Sequence, residues 1–226
     1  MFRCKAKLSH FTLFFMDIEK IRKEYNLHAL DESKMDADPI KFFGQWLEEA
    51  INSAIPEPTA MVVSTIGADG YPQSRVVLLK TFSDTGFTFF TNYLSQKGRS
   101  LELHPKATLL FFWPELQRQV RITGDVRKVS QDISENYFST RPRGSQIGAW
   151  ASEQRKVVSS REYLENKFRE IENEFNGKEV PLPENWGGYL VKPIRFEFWQ
   201  GRESRLHDRI AYELGGNDWR ISRLSP

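Results

Sequence analysis

The chain has 226 residues, 39% hydrophobic and 27% charged, which is enough for one well-buried core and ordinary for a globular protein. Lys and Arg total 32 against 30 Asp and Glu, so the net charge of +2 lacks the basic excess of a general nucleic-acid binder, and any cations that matter act locally on small anionic ligands. The single cysteine, Cys4, excludes an intrachain disulfide framework or thiolate cluster and fits a reducing, cytoplasmic setting, and no stretch reaches the roughly 20 apolar residues of a membrane span.

Residues 1–15 carry three basic residues, no acidic one and the start of a short apolar run that ends at Met16. They read as an extension from an upstream start, with Met16 as the natural one, and are set aside from the fold. Asp38-Pro39 predicts a helix start, an N-cap followed by proline at the first helical position. Ile40, Phe43, Leu47, Ala50, Ile51 and Ala54 recur at helical spacing until Pro56 and Pro58 stop the helix. Strands are predicted at Ala60–Ile66, Gln73–Thr81 and Phe87–Thr91, with turns at 67–70 and 83–86 between them. A short polar helix over Gln96–Leu103 precedes strands at Ala107–Trp113 and Gln119–Val129. Ser130 caps a helix to about Thr140, ended by Pro142, and a charged helix follows over Ser160–Phe175. The 181–188 loop leads to strands at Tyr189–Gln200, Arg205–Tyr212 and Trp219–Leu224. Short strands between Gly/Asp turns point to an α+β fold built on an antiparallel barrel.

No dinucleotide fingerprint, P-loop or serine-hydrolase elbow is present, and the histidines at 10, 28, 104 and 207 lack metal-ligand spacing, so no metal site is expected. A phosphate must therefore be held by side chains. Arg75 and Lys80 bracket the apolar run Val76-Val77-Leu78-Leu79, where two cations at the rims of a buried strand call for an anion or acidic partner. Tyr137 and Arg141, four apart on a predicted helix, share a face, with Ser145 just past the Pro142 break; a phenol, a guanidinium and a hydroxyl together suit a phosphomonoester. Arg205 and His207 face the same way if they lie on a strand, and Arg202 and Arg209 add to that cationic group. Taken singly, each also has an ordinary reading as a solvated surface charge or a core-edge tyrosine.

Taken together, the segments 75–80 (RVVLLK), 90–92 (FTN), 141–150 (RPRGSQIGAW), 198–201 (FWQG), 205–209 (RLHDR) and the closing Trp219 and 223–226 (RLSP) resemble, in order and from about Met16 onward, the pyridoxine/pyridoxamine 5′-phosphate oxidases. The resemblance implies an FMN-binding split β-barrel with flanking helices, working as a homodimer with FMN at its interface. Residues 16–58 would form an N-terminal helical segment, and 59–226 the barrel with its C-terminal dimerisation region. By family pattern, FMN would be bound by Arg75, Val76, Val77, Leu78, Leu79, Lys80, Phe90, Thr91, Gln96, Lys97, Gln119, Gln154, Arg155, Trp199 and Arg209. The substrate phosphate would meet Lys80, Tyr137, Arg141 and Ser145. Arg205, Leu206 and His207 would lie at the substrate ring, Arg205 and His207 near the reacting carbon, with Arg22, Lys23, Glu24 and Tyr25 closing over it.

The implied reaction moves a hydride from C4′ of pyridoxamine or pyridoxine 5′-phosphate to flavin N5, with O2 as final acceptor and pyridoxal 5′-phosphate and H2O2 as products. Arg209 would stabilise the reduced ring, and His207 would orient the substrate and assist proton removal. Two positions depart from the pattern: Gln96 where arginine is common, and Arg155 where a small hydroxyl residue is common. The expectation is that Arg155 supplies the charge Gln96 lacks, so that Arg155→Ser weakens FMN binding. Two alternatives stay open, a split-barrel flavin oxidase with another substrate and a non-catalytic pyridoxal-phosphate-binding protein.

Overall fold

A computed structural model describes residues 18–21, 23–154 and 156–226; residues 1–17, which include the 1–15 extension and Met16, lie outside the described residues with Arg22 and Arg155. The first long element, α1 (Pro39–Asn52), begins as expected, with Asp38 Oδ1 accepting from Ile40 N at 2.9 Å and proline at the first position. Its buried stripe is Pro39, Phe42, Phe43, Trp46, Leu47 and Ala50, while Ile51 is exposed. The stripe is turned by about one residue from the expected one because the aromatic mass of Phe42 and Trp46 decides which side faces inward. Both rings pack on Phe198, at 4.6 and 5.3 Å, and Phe43 meets Phe87 and Phe111 at 5.0 and 4.9 Å. The helix thus shares one apolar core with the sheet.

The sheet is antiparallel throughout: β1 (Ala60–Ile66), β2 (Pro72–Leu78), β3 (Thr81–Ser83), β4 (Gly86–Asn92), β5 (Lys106–Trp113), β6 (Arg118–Lys128), β7 (Trp186–Gln200), β8 (Asp208–Gly215) and β9 (Asp218–Leu224), joined in the order β2-β1-β5-β6-β7-β4-β3 with β8 and β9 branching from β7. The strand predicted over Gln73–Thr81 breaks after Leu78. There Leu79 N donates to Thr59 O and Lys80 N to Thr88 O, both at 2.9 Å, so two residues carry the chain from one end of the curled sheet to the other.

β7 is the spine. It pairs with β6 along its length, with β4 over Trp186–Val191 and with β8 over Arg195–Gln200. Its register with β6 slips between Thr123 and Gly124, opposite Pro193. Proline has no N–H for the ladder, and a Cβ on Gly124 would lie 2.2 Å from Lys192 O, so the spine bends where the backbones crowd. This is the split barrel. Three helices cover one flank: α3 (Gln131–Ser139), α4 (Arg143–Ala151) and α5 (Arg161–Glu174). They enclose a small second core of Phe138, Ile147, Val180 and Trp186. The short α2 (Gln96–Leu103) lies as predicted, whereas α4 was not expected from the sequence. Among the described residues no helix is long and apolar enough to cross a membrane.

Candidate active site

Three groups of the expected residues are brought together. In the first, Arg75 on β2 reaches across β1, its Nη1 donating to Thr65 Oγ1 at 2.8 Å, Gln73 O at 2.9 Å and Val63 O at 3.2 Å. Lys97, in the first turn of α2, donates to Thr91 Oγ1 on β4 at 2.8 Å and to Ser95 Oγ at 3.4 Å. Burial, and then the nearby Arg75 charge, lower the Lys97 ammonium from 10.5 to about 8. Burial alone lowers Arg75. No carboxylate among the described residues pairs with either. Two half-buried cations side by side make a site for an anion. The approach of α2 depends on Gly98, whose Cβ would lie 1.9 Å from Tyr93 O. Gln96 is the first residue of α2, beside Lys97. Val76 is exposed, Val77 and Leu78 are half-buried and Leu79 is in the core.

The second group is a stack. Phe90 of β4 lies 4.0 Å from the Tyr137 ring at 18° and 5.6 Å from Trp186 at 11°. The Arg141 guanidinium sits over Trp186 at 4.6 Å and near Phe138 at 5.5 Å. Its Nη1 is buried and has no hydrogen-bond partner among the described residues, and burial lowers its pKa. Arg141 stands just beyond the end of α3, not on it, and Ser145 is exposed in the first turn of α4. Lys80 is exposed at the β2–β3 link. Trp186 was not anticipated: it falls in a segment read as loop, and only the β4–β7 pairing places it under Arg141.

The third group lies at the other end of β7. Gln119, Trp199 and Arg209 are register partners across β6, β7 and β8. Arg209 donates through Nε and Nη2 to Glu197 Oε1, at 3.0 and 2.9 Å, and through Nη1 to Ser225 O at 2.9 Å. Arg121 bonds the other oxygen of the buried Glu197. The strand expected from Arg205 starts only at Asp208. Residues 203–205 form a single 3-10 turn in which Ser204 and Arg205 take positive φ, 55° and 59°, so Arg205 and His207 are not placed by strand alternation. His207 is held instead by Arg202 N, which donates to its Nδ1 at 3.0 Å. Its ring lies 4.7 Å from Trp199 and 5.9 Å from Tyr25, and Tyr25 is 5.9 Å from Trp199. Burial first, and then the Arg205 charge, lower the imidazole against an upward pull from Asp208, and this net lowering favours its neutral form. Lys23, Glu24, Tyr25, Arg205 and His207 line a cavity of about 490 Å³, and Leu206 projects into solvent. Gln154 is exposed in the turn after α4.

A family model described as pyridoxamine 5′-phosphate oxidase matches residues 47–175, and one described as the pyridoxine 5′-phosphate oxidase C-terminal dimerisation region matches 186–226. The chain is 51% identical over 210 residues to a pyridoxine/pyridoxamine 5′-phosphate oxidase of Rubrobacter xylanophilus, covering 93% of this chain and 97% of that protein. The chain belongs to the pyridoxine/pyridoxamine 5′-phosphate oxidase family. Another member, from Cupriavidus taiwanensis, is 53% identical over 91% of this chain and 97% of its own. Among solved structures, PhzG of Burkholderia lata, in complex with tetrahydrophenazine-1-carboxylic acid, superposes with a TM-score of 0.84 at 29% identity, covering 90% of this chain and all of that one. An FMN-binding protein of Nostoc punctiforme at 15% identity and a TM-score of 0.67 shares the fold. The first oxidase-family model spans the Arg75–Lys97 and Tyr137–Arg141 groups, and the second spans Trp199 to Arg209.

Proposed function

We propose that this chain oxidises pyridoxamine and pyridoxine 5′-phosphates to pyridoxal 5′-phosphate with FMN as cofactor and O2 as acceptor. The observation that carries the reading is the pair of separate half-buried cation sites without acidic partners among the described residues, Arg75–Lys97 and Arg141, whose Nη1 finds no partner there either. Two anion sites suit one phosphate on a cofactor and one on a substrate. The first fits the FMN phosphate, because Lys97 and Arg75 stay charged at little cost only when a dianion faces them. Bound FMN would supply a hydride acceptor, which O2 would reoxidise while itself being reduced to H2O2.

The chain's own residues bind and orient. Arg141, flat on Trp186, and the Tyr137 hydroxyl would hold the substrate phosphate, with Ser145 and Lys80 at its rim. His207 accepts a bond at Nδ1, so its neutral ring carries its proton on Nε2 and offers the substrate a donor. Arg205 adds positive charge beside it, and Tyr25 and Trp199 cover the ring from water. The amine reaction consumes O2 and water and releases ammonia and H2O2 with the aldehyde; the alcohol reaction consumes O2 and releases H2O2.

Trp186, under Arg141, and Trp199, beside His207, are thirteen residues apart on β7, roughly 40 Å of strand. One small substrate does not reach both ends. A second copy of the chain supplies the missing half, which supports a homodimer with sites shared between subunits. Purified protein should carry FMN and consume O2 with pyridoxamine 5′-phosphate; a flavin-loaded dimer that consumes none refutes the reading.

A further inference from the structure

The turn that bears Arg205 and His207 is tied down by a carboxylate that the proposed reaction does not use. Asp208 opens β8 with its side chain 11% exposed. Its Oδ2 accepts from Leu30 N at 3.0 Å and from Arg202 Nη1 at 2.9 Å, and its Oδ1 accepts from Arg223 Nη1 at 2.6 Å. Arg223 also donates to Glu32, through Nε at 2.5 Å and Nη2 at 2.7 Å, and to Leu30 O at 3.2 Å. Three stretches distant in sequence, residues 30–32, the 202–207 turn and β9, therefore meet on one carboxylate.

Both arms of this network end at groups that face the cavity. Along one arm, Asp208 fixes the Arg202 side chain, and the Arg202 backbone N–H holds His207 Nδ1. The turn between them contains two residues with positive φ, a conformation disfavoured for residues that carry a side chain, so it keeps its shape only while contacts around it impose it. Along the other arm, Leu30 is held by both its N–H and its carbonyl, which anchors the downstream end of the segment carrying Tyr25. A scatter of exposed ion pairs would order little. A carboxylate largely withdrawn from water and bonded to three donors orders all of them.

We propose that Asp208 is a positioning residue for the oxidation: through Arg202 it sets the orientation and tautomer of His207, and through Leu30 it anchors the segment that places Tyr25 over that histidine. The inference rests on the reading that His207 and Tyr25 face the substrate.

The test uses the flavin-loaded dimer, steady-state oxygen uptake with pyridoxamine 5′-phosphate, and nitrogen NMR of 15N-histidine-labelled protein, in which the His207 tautomer is read directly. Asp208→Asn should lower kcat/KM on the order of ten- to a hundredfold, with a fall in kcat, and convert His207 from a single Nε2–H form to a mixture. Arg202→Gln breaks only the histidine arm and should reproduce the tautomer change with Leu30 still anchored, which covers the case in which Asp208→Asn does not fold. Arg223→Gln keeps the Asp208–Arg202 bond but loosens the segment arm at the Leu30 carbonyl and Glu32, and should raise KM while leaving the tautomer alone. The proposal is overturned if folded Arg202→Gln or Asp208→Asn keeps one tautomer and a kcat/KM within twofold of the parent. A parent protein without oxygen uptake would refute the functional reading instead, and the tautomer comparison would still decide the role of Asp208 in holding His207.

Discussion

Replacing Lys97 by methionine should move stability and cofactor affinity in opposite directions. In the flavin-free protein the Lys97 ammonium is half-buried beside Arg75, with Thr91 and Ser95 oxygens as its partners among the described residues. Each pH unit by which its titration midpoint falls corresponds to about 1.4 kcal/mol against the charged form in the fold. The fall from 10.5 to about 8 makes this on the order of 3 kcal/mol for an enclosed ammonium, and about 1–2 kcal/mol once its water-facing part is discounted. The sign follows from the lowered value. Below pH 8 the lysine is protonated in both folded and unfolded chains and the penalty is complete; between about 8 and 10.5 the unfolded chain binds more protons, so stability rises with pH.

Lys97→Met should therefore stabilise the flavin-free protein by about 1–2 kcal/mol at pH 7, and it should abolish this rise above pH 8. The same change removes a charge from the proposed phosphate site and should weaken FMN by roughly 30- to 150-fold, the equivalent of about 2–3 kcal/mol. Urea denaturation of flavin-stripped protein at pH 7 and 9.5, with fluorescence titration of FMN, measures both. A variant that is less stable at pH 7, or that binds FMN as before, would show that Lys97 is a structural cation and not half of an anion site.

Three other outcomes follow from the geometry. Arg141→Ala should raise KM for phosphorylated substrates on the order of a hundredfold with little change in kcat, whereas Arg205→Ala should lower kcat as well; steady-state oxygen uptake separates them, and the reverse pattern exchanges their roles. Gly98→Ala puts a methyl group 1.9 Å from the Tyr93 carbonyl oxygen and must displace α2, so it should cost about 2–4 kcal/mol in denaturant unfolding and weaken FMN with it. Unaltered FMN affinity in a destabilised Gly98→Ala protein would detach α2 from the cofactor site. Glu197→Gln leaves the Arg121 and Arg209 guanidinia facing each other without their shared carboxylate and should cost about 2–3 kcal/mol in the same assay, reduced from the fully buried value because both arginines touch water.

What could be read in advance divides along the range of the forces involved. Helix starts at Asp38, Ser95, Ser130 and Ser160 are legible because a cap is a bond across two or three residues, and each of these side chains accepts from its own first turn. α4 was invisible for the same reason. Its N-cap is Pro142, which makes no side-chain cap, and two glycines dilute its propensity. Distant partners hold it: Arg143 bonds the carbonyls of Phe175 and Lys178, and Gln146 those of Phe138 and Ser139.

The candidate site follows the same rule. Arg75, Lys97, Tyr137, Arg141, Arg205 and His207 are legible as residue types in a recognisable order. Trp186 is not, because its role exists only once β4 pairs with β7 and brings Phe90 and Arg141 to its ring. Residues 205–207 read as the start of a strand for a related reason: alternation of Arg205 and His207 is a local signal, while the positive φ angles that break it persist through Asp208, whose partners are Leu30 and Arg223, about 180 residues back and fifteen ahead. The groups that carry chemistry are thus written in the sequence, and the groups that aim them are written only in contacts between its ends. This is why the residues to which the motifs assign no contact with cofactor or substrate, Trp186, Arg202 and Asp208, are those whose substitution should alter placement without removing any group that touches the substrate's reacting carbon.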